Sequence, residues 1–146
     1  MYTGTGSEME PAILLSLFAC GAFFLVGLVT GVWKYVDMVA DPESQAHYYI
    51  NTAHRASLLY SFAALVLIQF VLVSPYTETT NLVAVALPLF FFGFAIATYI
   101  VHGTLKDTDN QFQPPYRIGN WDLSPRVLHG SMLLLILAEI GGFLVV

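Results

Sequence analysis

Gln45-Ala46-His47-Tyr48-Tyr49-Ile50-Asn51-Thr52-Ala53-His54-Arg55-Ala56-Ser57-Leu58-Leu59 carries the reading of the whole chain. Within it a polar loop turns into an apolar run, and two histidines stand seven residues apart. His54 falls about one turn inside that run, where hydrocarbon offers its ring little water. A histidine so placed needs a protein partner or a ligand.

Outward from this stretch, hydropathy fixes the class. The chain is 57% hydrophobic and 10% charged, with a mean hydropathy of +0.70, which marks an integral membrane protein. Apolar runs cover residues 11–33, 56–73, 82–101 and 127–146, each close to the ~20 residues a helix needs to cross ~30 Å of hydrocarbon. The expected fold is all-α: an integral membrane four-helix bundle, up-down, forming one domain over residues 1–146. Its spans are expected at about residues 11–35, 54–73, 82–102 and 126–146. The first run reads as a retained helix, because Glu8 and Glu10 precede it without any Lys or Arg. The single cysteine, Cys20, excludes an intramolecular disulfide and reads as a small packing residue.

Charge gives the orientation. Lys34 and Arg55 flank the first loop, Lys106, Arg117 and Arg126 lie in the third, and the second loop and the N-terminal tail carry no basic residue. By the positive-inside rule loops 34–55 and 103–126 are cytoplasmic and both termini lie on the other side. The expected location is the bacterial inner membrane. A net charge of −5 without any basic cluster gives no support to a nucleic-acid partner.

Each span carries its own signal. Gly27-x-x-x-Gly31 is a small-residue pair of the kind that lets membrane helices approach closely. Trp33, Tyr35, Tyr48 and Tyr49 fit an interfacial aromatic belt. At ~100° per residue His54, Ser57, Ser61 and Gln69 form a polar stripe that should face protein. Thr98, Tyr99 and His102 share one face of the third span. The third loop is the longest, broken by Pro114-Pro115, Gly119 and Pro125, and is expected to fold back as a lid with Tyr116 and Trp121 in the interface. Ser124-Pro125 reads as an N-cap and first helical position, with His129 a turn inside. Glu139 is the lone acid in mid-span, and Gln69 lies at comparable depth as a candidate partner.

His54, His102 and His129 all fall at cytoplasmic helix ends, which a bundle brings to one depth. Neutral imidazoles gathered there suit a transition metal or a haem iron. His54 is the first candidate metal ligand, since Arg55 beside it can meet a propionate. His102 and His129 are further candidates for holding the cofactor, and the loop residue His47 ranks last. No phosphate loop, Ser-His-Asp order or paired cysteines support the common soluble chemistries.

Ala53-His54 opening the second span, Tyr99 in the third, and Asn110-Gln111-Phe112 in a long third loop resemble the membrane family of styrene oxide isomerase and hydroxylaminobenzene mutase. The resemblance implies a homotrimer holding haem b between subunits, with His54 as axial ligand and ferric iron acting as a Lewis acid. It implies an isomerase that opens a small lipophilic epoxide-like substrate and completes a 1,2-shift to a carbonyl. Tyr99 would be the catalytic tyrosine, and Tyr60 stands where the family carries an asparagine, in the same active site. Two other readings stay open: a non-catalytic b-type haem or metal-binding membrane protein with His54 and His129 on one iron, and a small accessory subunit of a membrane complex.

Overall fold

The computed structural model of the chain describes residues 9–146. The expectation that rests on Glu8 lies outside the described residues. Four helices form in order: α1 (Pro11–Ala40), α2 (Tyr48–Val71), α3 (Glu78–Leu105) and α4 (Pro125–Val145). Each is long and apolar enough to cross a membrane. Between α3 and α4 a two-residue hairpin, β1 (Arg117–Ile118) and β2 (Trp121–Asp122), pairs antiparallel with Ile118 opposite Trp121.

The helices run past their expected ends, α3 from Glu78 to Leu105 and, by the most, α1 and α2 around the first loop. α1 continues to Ala40 and α2 begins at Tyr48, beyond the ends that the apolar runs imply. Hydropathy locates where lipid stops, whereas the helix stops where its polar groups find partners. Asp37, still helical, accepts the His47 backbone N–H at 2.7 Å and pairs with Lys106 Nζ at 2.5 Å. His47 is itself the N-cap of α2, its Nδ1 accepting from Tyr49 N at 3.3 Å. Ser124 does precede Pro125 at the start of α4, but its hydroxyl makes no capping bond.

The α1–α2 seam is built on the expected glycine pair. A Cβ at Gly27 would stand 2.6 Å from Leu58 Cδ2, and one at Gly31 would stand 2.9 Å from His54 Cε1. Both contacts are closer than carbon atoms approach, so a methyl at either position would make Leu58 or His54 shift. Toward the other end Ala12, Ala64, Leu67, Val71, Val85 and Leu89 form one buried cluster from α1, α2 and α3. There Glu10 Oε1 accepts from Asn81 Nδ2 at 3.0 Å, tying the start of α1 to α3.

The polar stripe of α2 is only partly buried. Ser57 and Ser61 are buried and donate to the carbonyls of Ala53 and Leu58 in their own helix, at 2.7 and 2.8 Å. Gln69 is exposed.

α4 rests on α3 and buries only Gly142. The contact has a local cause. Pro88 lacks the N–H that would bond the Ala84 carbonyl, and a Cβ at Gly142 would stand 2.5 Å from that carbonyl oxygen and 2.7 Å from Pro88 Cδ. The helix defect of α3 thus faces the bare backbone of α4, where a Cα–H can approach the freed oxygen.

Candidate functional site

The site is assembled at the C-terminal end of α3. Lys106 adopts a left-handed conformation, φ 49° and ψ 38°, and returns its N–H to the His102 carbonyl at 2.8 Å. That turn sends Asp107 back along the helix it has just left. Asp107 Oδ1 then lies 2.8 Å from Nδ1 of His102, a ring only 1% exposed. A carboxylate only accepts, so Nδ1 carries the proton and donates it. The other oxygen, Oδ2, accepts the Gly119 N–H at 2.6 Å, tying the third loop to α3. Burial opposes ionisation of Asp107, yet the Gly119 N–H and His102 outweigh it and hold the carboxyl below the usual carboxylate range.

A second tie comes from Tyr49. Its ring stacks on Tyr99 with centroids 5.9 Å apart and lies 5.0 Å from His102. Its Oη accepts the Gln111 backbone N–H at 2.7 Å. Both ties draw the loop back over the ends of α2 and α3, as a lid would lie. Tyr116 joins this arrangement through an edge-on contact with His129 at 5.8 Å, whereas Trp121 is 81% exposed.

Beneath the loop, between α3 and α4, is a cavity of about 400 Å³. Its wall is mostly apolar, with Phe94, Leu128 and Leu135 among its residues, and Tyr60, Tyr99, His102 and Gln111 also line it. Tyr60 is held by stacking on Phe92, 4.2 Å and 6° from parallel. Gln111 Oε1 is buried without a hydrogen-bond partner. Phe90, Phe91 and Phe92 do not line this cavity. One turn beyond Leu135 along α4, Glu139 Oε1 is likewise buried without a partner, and its carboxyl lies within electrostatic reach of Tyr60 and Tyr99. No hydrogen bond joins Glu139 to exposed Gln69, so the pairing suggested by depth is not made.

The structure therefore gathers Tyr60, Tyr99 and His102 and leaves the other candidates elsewhere. His54 belongs to the α1–α2 seam, where Nδ1 lies 2.8 Å from the Gly27 carbonyl. A carbonyl cannot donate, so Nδ1 carries the proton and the lone pair is left on Nε2. Arg55 beside it is exposed and makes no ion pair among the described residues. His129 is exposed on α4. His47 pairs with Asp109, Nε2 to Oδ1 3.2 Å. Among the described residues no three His, Cys, Asp or Glu side chains are grouped to hold a metal ion. The expected convergence of His54, His102 and His129 is thus corrected: similar distance from a helix end does not put side chains on the same helix face.

For a haem the donor chemistry of His54 fits. A ring whose Nδ1–H is fixed by a backbone carbonyl offers Nε2 in the tautomer an axial ligand needs. His102 has the same tautomer fixed by a carboxylate, but it is enclosed under the loop.

Compared with protein-family models, with curated proteins and with solved structures, the chain matches none.

Proposed function

We propose that the chain is a membrane isomerase of a small lipophilic, epoxide-like substrate, held in the cavity between α3, α4 and the third loop. The observation that carries this reading is the apolar cavity of about 400 Å³ whose wall includes two tyrosines, Tyr60 and Tyr99. An oxygen-bearing substrate with a small hydrocarbon body fits such a wall, with the hydroxyls donating to its oxygen and fixing its orientation. The lid formed by the third loop keeps water from a carbon–oxygen bond as it opens. A 1,2-shift within the substrate needs no cosubstrate, and the cavity provides for one small molecule.

Haem b, when bound, supplies a ferric Lewis acid for the substrate oxygen. His54 would hold it through Nε2, and exposed Arg55 is free to meet a propionate. His54 and Tyr99 of one chain lie against different neighbours, α1 for His54 and the α3–α4 cavity for Tyr99. That separation supports a homo-oligomer, a trimer by the resemblance, in which an adjacent subunit completes each site. In the membrane the helices run up and down, with loops 34–55 and 103–126 cytoplasmic in a bacterial inner membrane.

One observation favours a second reading. The Gly27 carbonyl fixes the tautomer of His54 whether or not catalysis follows, which equally suits a non-catalytic b-type haem protein.

Absorption spectra of protein from haem-replete cells, beside His54→Ala, and turnover of styrene oxide beside Tyr99→Phe test the proposal. A Soret band that His54→Ala abolishes, with turnover reduced at least ~10-fold in Tyr99→Phe, is the expected result. A wild-type protein without a Soret band overturns the haem assignment, and one that holds haem without turnover leaves the second reading.

A further inference from the structure

The pair His102–Asp107 is not used by the chemistry above. We propose that it is a general base acting on a second class of molecule in the same cavity: small lipophilic ketones with a double bond one carbon removed from conjugation. His102 has three features of such a base. Its ring is buried and lines the cavity. Its Nδ1 is held by Asp107 at 2.8 Å, so Nε2 is the nitrogen left to take a proton. Its orientation is braced by Tyr49 at 5.0 Å and, through Asp107 Oδ2, by Gly119 of the loop.

The cavity also holds the groups that the developing charge needs. Tyr99, one turn before His102 on α3, and Tyr60 bring hydroxyl donors into the same wall. Gln111, anchored by its backbone on Tyr49, carries an amide whose oxygen has no partner within the protein and whose nitrogen offers two donors. In the reaction Nε2 of His102 removes a proton from the carbon between carbonyl and alkene. The released electron pair forms a dienolate whose oxygen accepts from the tyrosine hydroxyls. The imidazolium then returns the proton to the far alkene carbon, and the ketone leaves conjugated. Atoms and electrons balance with no co-reactant. Asp107 is a positioning residue here: it fixes the tautomer and stabilises the imidazolium.

This inference rests on the cavity described under Proposed function and on nothing that concerns haem. The probe is cyclohex-3-enone added to detergent-solubilised full-length protein, with conversion to cyclohex-2-enone followed by near-ultraviolet absorbance. Wild type is expected to convert it at least ~100-fold faster than micelles alone, the scale of general-base catalysis. His102→Gln falls to the micelle rate, Asp107→Asn falls at least ~10-fold, and Asp109→Asn, a change in the same loop, leaves the rate unchanged. Because His102→Gln can fail to fold, the ¹⁵N resonance of Nε2 is followed in wild type as cyclohex-2-enone is added, and a shift is expected. A wild-type rate no greater than that of micelles, a rate untouched by His102→Gln, or an Nε2 resonance that does not move overturns the proposal. Styrene oxide turnover and a Soret band that survive such a result count against this inference alone. Enone formation without a Soret band or epoxide turnover counts against the isomerase reading alone.

Discussion

The α1–α2 seam and the α3–α4 contact are both made close by glycine, yet they hold their helices in opposite ways. Along the seam Gly27 meets the side chain of Leu58 and Gly31 meets the ring of His54, and α1 stays against α2 over much of its length. At the other contact Gly142 meets a backbone carbonyl and a proline ring, and nothing else in α4 is buried. A seam of many side-chain contacts draws its two helices together along a line. The other residues of α4 stay at most half-buried, and the cavity with Tyr60, Tyr99 and His102 lies between α3, α4 and the third loop.

The sharpest way to break this comparison is at Gly142. Gly142→Leu is expected to lift α4 from α3, lower the thermal midpoint in detergent by the equivalent of ~3 kcal/mol, and abolish turnover of any cavity ligand. A backbone oxygen cannot rotate away. Gly31→Ala comes next, because its methyl meets a ring that can tilt. The expected cost is ~1–2 kcal/mol, with loss of the Nδ1–Gly27 bond and a changed Soret band if haem is bound. An unchanged spectrum would separate His54 from the haem.

Acid probes the loop that closes the cavity. Because the carboxyl of Asp107 is held below its ordinary value, its contribution is complete above an unfolded pKa of about 3.9 and is lost as pH falls through the lower folded value. Protection factors of residues 108–124, taken against the intrinsic rate at each pH, are therefore expected to be high at pH 5 and above and to fall below ~4. In Asp107→Asn protection should be low throughout, without that acid step. The smallest effect belongs to the glycines that meet nothing. Gly141→Ala and Gly21→Ala, each with no atom within 4 Å of the added methyl, are expected to be neutral or up to ~1 kcal/mol stabilising by chemical or thermal denaturation. Gly141 beside Gly142 gives the clearest contrast, since one position separates a free methyl from a clash.

Hydropathy made four membrane helices legible, because the cost of an apolar surface in water depends on composition alone. The Gly27–Gly31 contact was also legible, since spacing on one helix determines a face. The site was legible in part. Tyr99 and His102 share a face by their three-residue spacing, and the structure does bring them into one wall with Tyr60. The role of Asp107 was not, because it depends on the left-handed backbone of Lys106, a residue type that seldom announces such a turn. The grouping of histidines failed for a related reason. Depth is a one-dimensional quantity that sequence supplies, whereas the direction in which His54 faces α1 and His129 faces outward depends on which helices become neighbours.

The bare backbone at Gly142 also fixes where α4 comes up against the carbonyl that Pro88 frees in α3. From Gly142 to Ser131 at the cavity wall is about 16 Å at 1.5 Å per residue. A tilt of about 10° around that point would move the wall by about 3 Å, close to the full thickness of a flat hydrocarbon ring, while the freed carbonyl of Ala84 stays covered. The proline that breaks the hydrogen-bond ladder of α3 thus also sets where the backbone of α4 lies against it.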